Sequence, residues 1–298
     1  MNVRVIVNPS SGRQIVQKQV ANIIKRLVDD NTFKQVDVIR TTGKGDAYKA
    51  ACDFQPWQVD LVMAVGGDGT VNEIVNGLID GKHQTPLAIL PAGTVNDFAY
   101  SMGIPRDTAK YCKMLREFKT VWADVGQAGS HYFLNVAAGG ILTDVAYKTP
   151  SEAKTVLGQL AYVINGALDL PTQLLQTVPV RFKADDREIE DEIMLFIVSN
   201  TSSVGGFRNL ATAASVSDGL LDVTIVHRMK WYDFLQLMVQ LMNGEHHSHK
   251  GISYFQTRKL EITCLSSCNV PLDLDGEQGD TLPVTIRTIP GAIRLVIP

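Results

Sequence analysis

Three glycines and an aspartate stand together in VMAVGGDGTVNEIVNGL, Val62–Leu78. Gly66, Gly67 and Gly69 leave an apolar run and lead into a helical pattern. Glycines at such a junction let backbone amides approach a phosphate closely. Asp68 places a negative charge among them. A carboxylate beside bound phosphate makes sense when a divalent cation comes with it. Mg²⁺ is hard and uses one or two carboxylates together with phosphate oxygens and water. The plain alternative is an aspartate that closes its own turn. Thr70 and Glu73 have the T-x-x-E spacing of a capping box, which predicts a helix start at Thr70.

Other stretches carry similar chemistry. NPSSG, Asn8–Gly12, directly follows the first strand-like run and offers hydroxyls and a tight turn. LPAGTVNDF, Leu90–Phe98, brings Gly93, Thr94, Asn96 and Asp97. Thr94 reads equally as a helix cap or a phosphate contact. The glycine pattern is neither G-x-G-x-x-G nor G-x-x-x-x-G-K-[ST], so neither a dinucleotide fold nor a Walker site follows. Asp218-Gly219 and Asp275-Gly276 each read first as hairpin turns. Cys264 and Cys268 supply too few ligands for zinc and read as buried free thiols. EHHSH, Glu245–His249, reads as a polar loop rather than a metal site.

These residues need elements to position them. The first ~125 residues alternate strand-like and helical patterns, which argues a parallel sheet covered by helices. Strands are expected at VRVIV, QVDVI, DLVMAV and PLAIL, with helices over 15–28, 46–52 and 70–79. Loops after such strands sit where open α/β sheets bind ligands. From about Asp124 strand-like runs dominate: 131–137, 178–183, 192–199, 221–227, 258–265, 270–274, 282–288 and 292–297. Helices interrupt them near 152–169 and 231–242. That predicts an antiparallel second domain, a sandwich or irregular barrel. The domains are expected at 1–125 and 126–298.

The 298 residues carry a net charge of −3, so no global field favours nucleic acid. No run of 18 apolar residues exists, and the first strand begins almost at Met1. The expected location is the cytoplasm. Arg106, Lys110, Lys113 and Arg116 share a helical spacing that suits a solvated face or an anionic membrane. The 231–242 helix reads as core-packed, with interfacial insertion as the alternative.

NPSSG, GGDGTVNE and PAGTVNDF, in this order, resemble the diacylglycerol kinase catalytic family of lipid kinases, and most closely its Gram-positive soluble type. YFLNVAAGGILTDVAYKTP, LGQLAYVINGALDLP, SDGLLDVTIV and LDLDGEQGD extend the resemblance over nearly the whole chain. It implies an α/β nucleotide domain like that of NAD kinases and phosphofructokinases, a C-terminal β-sandwich, and an active site between them. It implies ATP as phosphoryl donor, Mg²⁺, and a lipid hydroxyl as acceptor, diacylglycerol first. Other lipid alcohols (phosphatidylglycerol, a long-chain base, undecaprenol) and an inactive lipid sensor are the alternatives.

Carried over by position, the resemblance implies ATP contacts from Asn8, Pro9, Ser10, Ser11, Gly12, Thr41, Gly67, Asp68, Gly69, Thr70, Val71, Asn72, Glu73 and Thr94. Thr41 matches through TTGKGDA. Asp68 would also help to hold the catalytic Mg²⁺, and Glu277 would be the general base. Ser215, Asp218 and Leu220 would hold a structural Mg²⁺, supported by Asp124 through water. A membrane-resident substrate implies peripheral contact with the inner membrane face. Oligomeric state stays open, a homodimer being one option.

Overall fold

The computed structural model describes residues 1–11, 14–140, 177–203, 211, 213–243, 249–267 and 269–298. They form two units, Met1–Ala123 with Gly291–Pro298, and Asp124–Pro290.

The first unit is built on continuous apolar runs. β1 (Asn2–Val7) leads to α1 (Gln14–Asp29), β2 (Gln35–Arg40), α2 (Asp46–Cys52), β3 (Leu61–Gly66), α3 (Asp68–Asp80) and β4 (Leu87–Pro91). The short α4 (Asp97–Ser101), α5 (Thr108–Glu117) and β5 (Lys119–Ala128) follow. The strands pair in parallel in the order β4-β3-β1-β2. Every residue of central β3 is buried, whereas edge strand β2 is largely exposed. A parallel strand covered on both faces needs such an unbroken apolar run. α1 buries Val20, Ile23 and Leu27, one helical stripe. α3 crosses α2 at Gly77, where a Cβ would lie 2.4 Å from the Tyr48 carbonyl oxygen. The parallel α/β expectation holds.

The second unit adds β6 (His131–Phe133), β7 (Val136–Gly140), β8 (Val178–Ala184), β9 (Glu188–Ser199), β10 (Leu221–His227), α6 (Trp231–Asn243), β11 (Ile252–Thr257), β12 (Lys259–Cys264), β13 (Pro271–Leu274), β14 (Glu277–Thr281) and β15 (Val284–Ile297). Its strand pairs are antiparallel. The first half of β9 pairs with β8, and its second half runs between β7 and β10. One long strand thereby serves two sets of neighbours, as in sandwiches whose strands switch sheets. The core packs Phe133, Phe182, Phe196, Leu272, Leu274 and Ile286, with Phe182 edge-on to Phe196 at 5.6 Å. This is the expected β-sandwich.

Several expectations change. The runs 282–288 and 292–297 are one strand, β15, carrying Pro290 and Gly291 within it. Its last part joins the first unit, where Leu295 pairs with Leu87. Residues 291–298, expected in the second domain, therefore belong to the first. Cys264 is disulfide-bonded, not a free thiol, and Cys268 lies outside the described residues. The expected 152–169 helix and most of the EHHSH stretch also lie outside them. α6 buries Phe234 and Leu237 and exposes Tyr232 and Val239, the pattern of a helix packed on one face. Among the described residues no helix is long and apolar enough to cross a membrane.

Candidate active site

In the first unit, loops at the C-terminal ends of β1, β2, β3 and β4 gather the polar residues. Asn8 organises the β1 loop. Its Oδ1 accepts the Ser10 amide at 3.1 Å and the Ser10 hydroxyl at 2.6 Å. Its Nδ2 donates to Thr70 Oγ1 at 3.0 Å. Thr70 is buried and faces the β1 loop, so it does not cap a helix at its own position. The helix begins two residues earlier, at Asp68, with Gly67 as its N-cap. Glu73 turns away from the expected capping box and accepts the Gly45 amide at 3.1 Å. The capping-box expectation is therefore corrected: both side chains hold neighbouring loops instead of their own helix.

The glycines allow close contact between loops. A Cβ on Gly93 would sit 2.6 Å from Gly67 Cα, so the β3 and β4 loops touch backbone to backbone. Asn96 fixes the β4 loop by accepting the Gly93 amide at 2.9 Å and donating to the Gly93 carbonyl at 2.5 Å. Asn96, in left-handed conformation, is the N-cap residue of α4. Thr94 is exposed and does not cap it. Asp68 is half-buried at the first position of α3, where the helix dipole favours a negative charge. Its Oδ1 accepts the Phe98 amide at 3.3 Å. Thr41 is buried and donates its amide to the Val7 carbonyl. Beside it, Asp46 Oδ2 accepts the Thr42 amide, the Thr42 hydroxyl and the Gly43 amide. The Thr42 hydrogen bonds hold the Asp46 carboxyl below its usual range. Asn8, Pro9, Ser10, Ser11, Gly67, Gly69, Val71 and Asn72 occupy the same strand-end loops and the first turn of α3; Gly12 lies outside the described residues.

In the second unit, β13 and β14 form a hairpin whose two turn residues, Asp275 (φ 52°) and Gly276 (φ 87°), are left-handed. Two-residue hairpin turns favour this sequence pair for that reason. Asp275 does more than turn the chain. Its carboxylate accepts the amides of Leu134 (2.6 Å), Asn135 (2.9 Å) and Val136 (2.9 Å), pinning the β6–β7 loop to the hairpin. Glu277 follows on β14 and is exposed. Asp273 precedes the turn and is buried; its Oδ1 accepts the Gly276 amide at 3.0 Å.

The Ser215–Leu220 loop is tied to this hairpin by a chain of hydrogen bonds. Gly219 donates to Asp124 Oδ2 at 2.7 Å. Asn200 Nδ2 donates to the Asp124 carbonyl at 3.0 Å and to the Leu134 carbonyl at 2.9 Å. Leu134 in turn donates to Asp275. Asp124 therefore bonds the loop directly, where sequence reading gave it a role through water. Asp218 is exposed and its Oδ1 accepts the Leu220 amide at 2.9 Å.

Sequence reading gave no role to Asp46, Asn200 or Asp273, and took Asn96 only as a polar group of its loop. Asp46 and Asn96 stood inside quoted motifs and accept amides three or four residues before them. Asn200 and Asp273 gave no signal, because their partners are remote in sequence or their importance lies in burial. A further chain, Asp191–His227–Ser253, with 2.7 Å at each link, joins β9, β10 and β11 and was equally unmarked.

Residues 2–128 match the model of the diacylglycerol kinase catalytic domain, and residues 136–297 that of the YegS C-terminal NAD kinase beta sandwich-like domain. The chain belongs to the diacylglycerol kinase catalytic family. A diacylglycerol kinase of Bacillus subtilis is 37% identical over 99% of this chain and 96% of its own length. One of Staphylococcus saprophyticus is 32% identical over 99% and 95%. Two solved structures from Bacillus anthracis superpose over 100% of this chain. Their TM-scores are 0.84 and 0.79, at 27% and 25% identity, covering 95% and 97% of those chains. The protein is thus a kinase of the lipid kinase family, for which ATP is the co-substrate and a divalent metal the usual companion. The first unit's loops fit that pair: glycine backbone for phosphate, and the Asp68 carboxylate for a cation.

Proposed function

We propose that this protein transfers the γ-phosphate of ATP to the hydroxyl of diacylglycerol, giving phosphatidic acid. The observation that carries the reading is the Asp68 carboxylate at the first position of α3, beside the Gly67–Gly93 contact. Phosphoryl transfer is mainly positioning and charge stabilisation. Asn8–Gly12, Thr41, Gly67–Glu73 and Thr94 hold the nucleotide. When bound, Mg²⁺ offsets negative charge on the phosphates, and Asp68 helps to hold it. Glu277 takes the proton from the lipid hydroxyl as that oxygen attacks. Ser215, Asp218 and Leu220 hold a second, structural Mg²⁺, which stiffens the loop bonded to Asp124.

The protein meets its lipid as a peripheral guest on the inner membrane face. Of the four basic residues between 106 and 116, Arg116 is committed to Asp30 at 2.7 Å and Lys113 pairs with Glu117, so Arg106, which precedes the helix, and Lys110 are the candidates for anionic lipid.

The test is label transfer from ATP to a panel of lipid alcohols in mixed micelles, with a detergent-only control. Fastest transfer to diacylglycerol supports the reading. Preference for phosphatidylglycerol, a long-chain base or undecaprenol changes the acceptor and keeps the chemistry. No transfer to any lipid contradicts it.

A further inference from the structure

Asp273 is 1% exposed, on strand β13 between β7 and β14. Its Oδ1 accepts the Gly276 amide, and its Oδ2 is buried with no hydrogen-bond partner among the described residues. A buried carboxylate with a bare oxygen is costly, because nothing replaces the lost water. The group avoids this by keeping its proton. Its titratable neighbours are Asp275 in the turn and Glu277 on β14; facing it from the other side, β7 (Val136–Gly140) has none. Burial first, then the charges of Asp275 and Glu277, pushes Asp273 up to about 7.

We infer that Asp273 is a positioning residue for Glu277: as a neutral acid it braces the left-handed Asp275–Gly276 turn without adding a third charge beside the base. This rests on the reading of Glu277 as general base. The neutral acid supplies the acceptor for Gly276 and places an O–H where the bare oxygen lies. Ionisation removes that hydrogen, places charge on a buried oxygen with no hydrogen-bond partner among the described residues, and sets a new negative charge against Asp275 and Glu277. The turn relieves both by opening toward water, and Glu277 loses its fixed place.

Asparagine mimics the proton-bearing form, since it keeps the acceptor and puts N–H₂ at the Oδ2 position. The experiment compares wild type, Asp273→Asn and Asp273→Ala. It measures kcat for lipid phosphorylation from pH 6 to 8.5, ATP affinity by calorimetry, and melting temperature from pH 4 to 8. Wild-type kcat should decline as pH rises through about 7. In Asp273→Asn the ratio of kcat at high to low pH should rise severalfold, about the span over which one ionisation acts. Asp273→Ala should lower kcat roughly tenfold or more with ATP affinity unchanged, as for loss of an interaction that serves the reacting step.

The melting arm follows from linkage. A raised folded pKa gives stability that is full below the unfolded value of 3.8 and lost as pH rises through about 7. The melting temperature of Asp273→Asn relative to wild type should therefore rise across that window. A pH profile of Asp273→Asn that superimposes on wild type, or a wild-type kcat in Asp273→Ala, overturns the proposal. A melting difference that is flat with pH overturns it while leaving the kinase reading standing. If Glu277→Gln keeps full activity, the positioning role falls with the base assignment, even where the melting difference shows the neutral acid.

Discussion

A carboxylate at the head of a helix answers two demands at once. Asp68 sits where the helix dipole welcomes negative charge, and the proposed function gives it a phosphate-bound cation to hold. Its removal should cost chemistry more than folding. Asp68→Ala is expected to lower kcat by on the order of 10²–10³, the range for losing one preorganised electrostatic group. The check is a Mg²⁺ titration of activity with melting temperature measured alongside. At this scale the sequence showed which residue types gathered and hid their partners. Thr70 and Glu73 carry capping-box spacing, yet Asn8 and Gly45 are their partners. A short-range motif is decided by tertiary competitors that the spacing cannot display. Asp273 was silent for the same reason, since its burial is set by strands far away in the chain.

Loops and strands carry the next demand, which is rigidity. Gly67 and Gly93 touch, so Gly93→Ala forces a Cβ against backbone at 2.6 Å. It should destabilise the first unit by about 1–3 kcal/mol, as overpacking does, and weaken ATP binding; thermal melting and calorimetry check it. The Asp218 loop connects by Gly219, Asp124, Asn200 and Leu134 to the Asp275 hairpin. Asp218→Ala should therefore lower melting temperature and kcat together. A chelator should lower the melting temperature of wild type more than that of the variant, and equal shifts would remove the structural metal. Apolar periodicity made β1, β3, β4 and α2 legible nearly residue by residue. It split β15 in two because Pro290 and Gly291 look like a break, whereas the strand carries both. β5 was missed because the change of texture near Asp124 falls inside it.

For the whole molecule, a parallel α/β unit and an antiparallel β unit were readable from the switch in pattern. The return of residues 291–298 to the first unit was not, because a strand's partner is not written in its own sequence. The central claim is the proposed role of Glu277 as the base that takes the acceptor proton in phosphoryl transfer. Glu277→Gln tests it most directly, since the amide keeps size and hydrogen bonding and loses basicity. The measurement is kcat with diacylglycerol in mixed micelles, under conditions where chemistry limits the rate, with ATP affinity by calorimetry. The account predicts a fall of about 10²–10⁴ in kcat, the contribution of a general base, with ATP affinity nearly unchanged. A variant that keeps more than about a tenth of the wild-type kcat, a loss too small for a general base, would contradict it and leave Glu277 as a surface carboxylate beside a hairpin turn.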